Sequence, residues 1–179
     1  MNNRFFYILI FLFVPIVFNF AKAQVKIFPV PPGNAKQLFY LQRTTNTNTI
    51  IYELNYAGNV IDKDDPVHAY WIRYSENGQT EDLNYVQRKF AYGINSKEIG
   101  TNKFELTFVS YKKYKMYLMV GSDKQYHVYT TINKRQIILN KIFIQVKGGS
   151  FWSPNIEFVE LTGLDTVTNL PVKERLIIK

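Results

Sequence analysis

The sequence contains no cysteine, only two histidines and a single long apolar run. Without cysteine, the chain can form no disulfide, carry no lipid on an N-terminal cysteine and supply no thiol nucleophile. His68 and His127 alone represent the residue type that most often transfers protons near neutral pH. Two isolated histidines do not supply the three or four ligands of a zinc site. The sequence therefore assigns no catalytic residue, no metal and no cofactor.

The long apolar run lies near the N-terminus. Arg4 precedes it, residues 5–18 form it, and the small-x-small triplet at residues 21–23 follows it. This order predicts a signal peptide over residues 1–23. The run is shorter than the roughly 20 apolar residues with which a helix spans a bilayer, so an uncleaved anchor is the weaker interpretation. We expect residues 24–179 to be exported to the periplasm or the extracellular space, with no transmembrane segment after cleavage.

The expected mature chain is one domain, because it shows no repeat, low-complexity tract or charge block and has an ordinary domain length. The whole sequence carries 22 Lys and Arg against 14 Asp and Glu. Such a moderate positive excess favours solubility. Export and the lack of a nucleic-acid-binding motif argue against nucleic acid as a partner.

Short runs of β-branched and aromatic residues recur along the chain, separated by turn residues. This pattern is typical of a mainly β fold, an antiparallel β-sandwich or up-and-down barrel of about eight to ten strands. Alternation is clearest in the segment 103–108, where Phe104, Leu106 and Phe108 should face the core and the residues between them solvent. The predicted strands are 25–30, 38–44, 49–55, 67–74, 103–111, 114–120, 125–132, 136–147, 155–162 and 172–178.

One short helix is predicted over residues 81–92. Thr80 would cap it, the acidic residues after Thr80 suit the helix dipole, and Gly93 would end it. Its apolar positions form one narrow stripe, and we expect the helix to lie across the sheet or to close one mouth of a barrel. The stripe consists of Leu83, Val86 and Phe90.

Three arginines, Arg43, Arg73 and Arg88, stand beside large apolar side chains, and Trp71 lies two residues before Arg73. A guanidinium held against aromatic rings can bind a carboxylate or phosphate at two points. These residues are the predicted ligand-binding site, with an anionic small molecule, a lipid or a glycan as the ligand. The same arginines could instead form internal salt bridges, because buried arginines are usually paired. The candidate partners are Glu53, Glu76 and Glu81.

A second basic set lies around two predicted turns of a meander over residues 103–147. The turns at 112–113 and 133–134 should fall at the same end of the sheet, where they would form a basic rim. Such a rim could meet anionic lipid head groups or acidic glycans. A solvated hairpin end that discourages edge aggregation also explains it. The rim consists of Lys112, Lys113, Lys115, Lys134 and Arg135.

Two functions of other classes stay open. Asp123 and His127 lie four residues apart across a turn and could form an acid–base pair, and His68 lies in a predicted strand. A hydrolase-type enzyme using His68 or His127 is therefore one alternative, and a structural or assembly protein of the cell envelope is another. The preferred interpretation is an exported noncatalytic β domain that binds an anionic or amphipathic ligand or an envelope partner.

Several segments carry motifs of a known family, namely residues 39–44 with 46–48, 66–74, 85–93 and 160–163. Together they resemble an uncharacterised family of small exported bacterial proteins, common in Bacteroidetes, that is classified as a domain of unknown function. The resemblance covers most of the mature chain and implies export and a single domain. It implies no reaction, substrate or site residue.

Overall fold

The computed structural model describes residues 27–44, 46–150 and 152–177. The predicted signal peptide, residues 1–23, lies outside the described residues. The described part is mainly β, with thirteen strands and one short helical segment, and this confirms the predicted class. Within it, no helix has the length and apolar character needed to cross a bilayer.

The strands and helical turns follow one another along the chain with short connections. The strands are β1 (Gln37–Arg43), β2 (Thr49–Leu54), β3 (Tyr56–Ala57), β4 (Val60–Ile61), β5 (Val67–Arg73), β6 (Gln79–Asp82), β7 (Ile94–Gly100), β8 (Lys103–Phe108), β9 (Tyr111–Val120), β10 (Tyr126–Ile132), β11 (Arg135–Gly149), β12 (Pro154–Asp165) and β13 (Pro171–Ile177). A 3-10 turn (Tyr74–Glu76) follows β5. The helical segment begins as α1 (Tyr85–Gln87) and continues as a π-helical turn (Arg88–Tyr92).

The main sheet branches at β11. One edge of β11 pairs with β12, which in turn pairs with β13. The other edge is shared, because residues 135–138 pair with β10 and residues 141–144 pair with β1. We call β10, β9, β8 and β7 the meander arm, and β1, β2, β5 and β6 the N-terminal arm. The β11–β12 register shifts between Leu139 and Lys141, where the arms separate. Such a bulge bends a strand and increases its twist, and the sheet curls into a half-barrel.

Strand pairing departs from the prediction at one place. β1 pairs with β11 in parallel, whereas the other pairings between described strands are antiparallel. Antiparallel neighbours can be joined by a tight turn, but a parallel pair needs a long crossover. The long stretch of chain between β1 and β11 supplies this crossover, so the purely antiparallel prediction is wrong here.

The hydrophobic core lies between the two arms. Phe39 of β1 stacks on Tyr52 of β2, with their ring centroids 4.4 Å apart. Phe108 of the meander arm meets both rings edge-on, at 6.3 Å from Phe39 and 5.8 Å from Tyr52. Burying an aromatic or aliphatic side chain of this size contributes about 1.5 to 3 kcal/mol. These rings therefore hold the arms together.

The alternation predicted for β8 is confirmed on its inward face. Phe104 and Leu106 are fully buried and Phe108 is nearly so. Glu105 and Thr107, which lie between them, are only partly exposed, and Glu105 forms a 2.9 Å ion pair with Lys115 on β9. β8 ends at Phe108, three residues before the predicted end, since a turn follows and Tyr111 already begins β9.

The helix begins later than predicted. Glu81 lies in β6, where it pairs with Trp71 of β5, so ladder hydrogen bonds replace the predicted first helical turn. The cap is Asn84 rather than Thr80. Its side chain accepts a hydrogen bond from the Gln87 backbone at 2.9 Å, and its own backbone N–H donates to the Gln87 side chain at 3.1 Å. This is a capping box.

Only one residue of the predicted apolar stripe is buried. Leu83 is buried but precedes the helix, whereas Val86 and Phe90 are exposed. A π-helical turn takes an extra residue, so positions spaced for an α-helix no longer share one face. The segment ends at Gly93, where a Cβ would collide with the carbonyl oxygen of Arg88.

The predicted strand 25–30 is also wrong over its described part, because residues 27–30 form no ladder. Pro29 and Pro31 lack the N–H groups that a strand needs. Instead, the Pro29 carbonyl accepts a 2.6 Å hydrogen bond from Gln42. The strands β3, β4, β6 and β7 were not predicted.

Candidate functional site

Three of the four residues predicted to bind a ligand come together at one end of the N-terminal arm. Leu41, Ile50 and Trp71 lie directly opposite one another on β1, β2 and β5. Residues two positions further along a strand share the same face, so Arg43 and Arg73 lie on the face of Trp71. Their guanidinium carbons lie 5.7 and 5.9 Å from the Trp71 ring centroid.

The helical segment adds a fourth residue, Tyr92. Its ring meets Trp71 edge-on at 5.4 Å and lies 5.5 Å from the guanidinium carbon of Arg43. Burial raises the pKa of the Tyr92 hydroxyl, and the charge of Arg43 acts in the opposite direction. We call Arg43, Trp71, Arg73 and Tyr92 the arginine–aromatic stack. Contacts of this kind contribute about 0.5 to 2 kcal/mol each.

Hydrogen bonds from neighbouring elements hold the stack in place. The Trp71 indole N–H donates to the Gln87 side-chain oxygen at 3.2 Å, and that same oxygen accepts the Asn84 N–H. The hydroxyl of Tyr52, which is fully buried, donates to the Tyr92 carbonyl at 2.9 Å. The segment between β6 and β7 is thus tied to the N-terminal arm, which fixes the rings around Arg43.

The two arginines of the stack differ in their counterions. Arg73 lies 2.7 Å from Glu81 and 3.4 Å from Glu76, so the salt-bridge alternative is confirmed for Arg73. Arg43 has no ion-pair partner among the residues that the structure describes, and its Nε is buried without a hydrogen-bond acceptor there. The Nε of Arg73 also lacks an acceptor, so the missing carboxylate is what distinguishes Arg43.

Arg88, the fourth predicted residue, lies elsewhere. Its guanidinium donates to the Leu83 carbonyl at 3.5 Å. Burial raises the pKa of the Asp65 carboxyl, and the charge of Arg88 opposes that effect. Asp65 precedes β5, whereas Arg73 ends it, so Arg88 is placed near the opposite end of this strand.

Sequence reasoning missed two contributors to the stack, Tyr92 and Gln87. The Asn84-x-x-Gln87 spacing is a capping-box pattern that could have located the helix start. The contact between Tyr92 and Arg43 has no comparable signal, because it joins elements that are distant in the chain.

The outer face of the N-terminal arm carries a second cluster, around His68. The His68 Nε2 lies 2.9 Å from Asp82, and Nδ1 lies 3.7 Å from Glu53. The Tyr70 hydroxyl donates to Glu53 at 3.3 Å, and burial followed by the Glu53 charge raises the pKa of Tyr70. Both ring nitrogens of His68 thus face carboxylates, and the cluster borders an open groove of about 440 Å³.

The other histidine lies in the pair predicted from its spacing. His127 Nε2 is 2.7 Å from an Asp123 carboxylate oxygen, which confirms the contact. Hydrogen bonds from the Gln125 backbone and from His127 lower the pKa of Asp123. In the described ranges, no group of three or more His, Asp or Glu residues is arranged to hold a metal ion.

Carboxylates neutralise part of the predicted basic rim. Arg135 lies 3.6 Å from Asp165, and Lys115 pairs with Glu105. The backbone N–H of Asn133, in the second turn, donates to Glu174 at 3.0 Å. These contacts favour a structural role for Lys115 and Arg135 over a role in binding an anionic surface.

The described part of the chain is therefore mainly β, and its branched sheet carries an arginine–aromatic stack at the end of one arm. The chain belongs to the family described as domain of unknown function DUF4833, whose model matches residues 39–175. The matched range includes the whole stack, and it agrees with the resemblance to a family without a known function. No curated protein and no solved structure matches the chain.

Proposed function

We propose that this protein is a noncatalytic binding domain whose ligand presents an anionic group to Arg43. The observation that carries the proposal is the guanidinium of Arg43, which contacts Trp71 and Tyr92 and has no carboxylate partner among the described residues. Buried polar groups are normally hydrogen-bonded, and an exception calls for an explanation. An oxygen of a bound carboxylate or phosphate would supply the acceptor.

The contrast with Arg73 supports this choice of anchor. Two glutamates pair with Arg73, whereas no carboxylate among the described residues pairs with Arg43, so Arg43 is the arginine of the stack that can accept an added anion. Contact with both rings restricts the guanidinium, and a preorganised arginine loses less entropy when it binds an anion at two points. Arg43 is partly exposed, so an anion can reach it from solvent.

The test uses three probes that share an anionic oxygen but come from different sources. The probes are inorganic phosphate, glucuronate and a short-chain phosphatidylglycerol below its micelle concentration. Each is titrated against the purified protein while the melting temperature and the tryptophan fluorescence are recorded. A ligand at ten times its Kd should add about 1.4 kcal/mol of stability. The probe that raises the melting temperature identifies the chemical source of the anionic group.

Arg43→Gln should abolish this stabilisation. The matched control is Arg175→Gln, which removes the same charge from an arginine that lies over the Phe158 ring and pairs with Glu160. The control should respond to the probe like the parent. If no probe stabilises the parent, or if the two variants lose the response equally, the binding proposal is wrong and a structural role for the stack replaces it.

Export is part of the proposal and has its own test. The small residues Ala21 and Ala23 precede the expected cleavage point, so the mature protein should begin at Gln24. Intact mass measurement of protein from the cell envelope and the medium checks this and separates periplasmic from secreted protein. Recovery of the full-length chain from the membrane would contradict it.

A hydrolase-type enzyme is the alternative from another class, and the hydrogen bond between Asp123 and His127 favours it. A carboxylate that orients an imidazole is one part of a catalytic triad, which also needs a nucleophile. Assays with chromogenic esters, phosphoesters and glycosides distinguish the two functions. Hydrolysis that is lost in His127→Ala but kept in Arg43→Gln would support the enzyme and contradict the binding proposal.

A further inference from the structure

Large aromatic side chains are exposed at the meeting point of the helical segment and the tip of the β11–β12 hairpin. Tyr85 is 69% exposed, Phe90 50% and Trp152 69%. Phe90 and Trp152 come from distant parts of the chain, yet their ring centroids are 5.9 Å apart. We call this surface the aromatic patch. It consists of Tyr85, Val86, Lys89, Phe90 and Trp152.

The aromatic patch contains Val86 and Phe90, two of the three residues of the predicted apolar stripe. The helical segment buries Tyr92 against Trp71 and turns Val86 and Phe90 to solvent. Isolated exposed apolar residues are ordinary, but a contiguous exposed group more often marks an interaction surface. The patch is contiguous because its two parts touch through Phe90 and Trp152.

The charge around the patch is positive. The Lys89 ammonium lies 5.2 Å from the Tyr85 ring centroid and 5.5 Å from that of Phe90. The β8–β9 turn adjoins the helical segment, since the Ser110 hydroxyl donates to the Ala91 carbonyl at 2.6 Å, and exposed Lys112 follows that turn. The helical segment, residues 85–92, and the β11–β12 connection, residues 150–153, contain no acidic residue.

We propose that the aromatic patch docks on a lipid bilayer that contains anionic lipid. Tryptophan and tyrosine favour the boundary between head groups and acyl chains, and lysine is attracted to anionic head groups. A binding site for a neutral glycan would need a flat ring platform, but the planes of Phe90 and Trp152 are inclined at 70°. The proposal does not depend on the Arg43 site.

The experiment measures binding to vesicles of phosphatidylcholine alone and of phosphatidylcholine with phosphatidylglycerol. Co-sedimentation gives the partition coefficient, and brominated lipids report the depth of tryptophan. All proteins are purified in the same N-terminal form, so any contribution of residues 1–23 cancels. The parent should bind the acidic vesicles more tightly, and bromolipid should quench a tryptophan signal that Trp152→Ser removes.

The double variant Phe90→Ser with Trp152→Ser should weaken binding by about tenfold or more, because two side chains no longer leave water. Its matched control, Val167→Ser with Leu170→Ser, removes two exposed apolar side chains near the β12–β13 turn and should bind like the parent. Lys89→Gln should weaken binding to acidic vesicles about fivefold, whereas Lys97→Gln should not.

Melting temperatures of all variants confirm that each is folded. If the parent binds no vesicles, or binds them equally with and without acidic lipid, the docking proposal is wrong. Equal losses of vesicle binding in the patch variants and in their controls would also overturn the docking proposal. Retention on an insoluble polysaccharide without vesicle binding would assign the patch to a glycan instead.

Discussion

The meander arm and the N-terminal arm line the same core but end differently. On β8, the inward side chains are apolar up to the last residue, Phe108. On β1, the inward row passes from Phe39 through Leu41 to Arg43, so it ends in a cation. Placing a charge beside a core requires counterions or other favourable contacts. The end of the N-terminal arm thus carries groups that the core does not need.

The largest change in stability is expected when the meander arm loses a buried ring. Phe104 is fully buried, so Phe104→Ala should lower the free energy of unfolding by about 3 to 5 kcal/mol. Thr107→Ala on the same strand should cost less than about 0.5 kcal/mol, because Thr107 lies on the other face. Urea denaturation of both variants measures the difference. Similar losses at the two positions would contradict the register of β8.

The hydroxyl of Tyr52 links the N-terminal arm to the helical segment. Tyr52→Phe keeps the ring stacked on Phe39 but removes the donor to the Tyr92 carbonyl, and should cost about 1 to 2 kcal/mol at pH 8. Burial raises the pKa of Tyr52 well above its ordinary value of about 10.

This shift predicts how the stability of the protein depends on alkaline pH. Above about pH 10 the unfolded chain loses the Tyr52 proton while the folded chain keeps it, so the stability of the parent falls as pH rises. Tyr52→Phe removes this contribution, and the difference between parent and variant should narrow between pH 8 and pH 11. Urea titrations at pH 8 and pH 11 measure the stability difference between the parent and Tyr52→Phe. A difference that stays constant would contradict the raised pKa of Tyr52.

The two arginines of the stack should respond differently to the loss of their charge. Arg73→Gln removes contacts to two half-exposed glutamates and should cost about 1 kcal/mol. Arg43→Gln should leave stability within about 0.5 kcal/mol of the parent or raise it slightly, because the relief of a partly buried charge without a described counterion offsets the loss of its two ring contacts. Thermal and urea denaturation compare the two variants. A larger loss for Arg43→Gln would indicate that Arg43 serves the fold.

The smallest effect is expected at the aromatic patch. Trp152→Ser should change the free energy of unfolding by less than about 0.5 kcal/mol, because most of this side chain already contacts water. The matched core position is Trp71, which is 3% exposed and whose replacement should be far more costly. Urea denaturation of Trp152→Ser and Trp71→Phe tests the contrast. A large loss for Trp152→Ser would make the patch part of the fold.

The success of the sequence predictions varies along the chain. The β8 alternation was predictable because successive side chains of a strand point to opposite faces whatever their neighbours are. The predicted helix start was wrong. An acidic residue such as Glu81 suits the first turn of a helix, but pairing with β5 gives this segment more hydrogen bonds. The parallel partner of β1 was missed because pairing between distant strands has no local signature.

By itself, the sequence determined the mainly β class, the inward row of β8 and the shared strand face of Trp71 and Arg73. Each of these follows from the two-residue period of a strand or from short-range spacing. Only the tertiary structure decided that Arg73 pairs with two carboxylates, whereas Arg43 contacts the ring of Tyr92. It also decided that Phe90 faces solvent beside Trp152. Charge pairing and burial depend on which distant segments pack together, and local periodicity does not encode that packing.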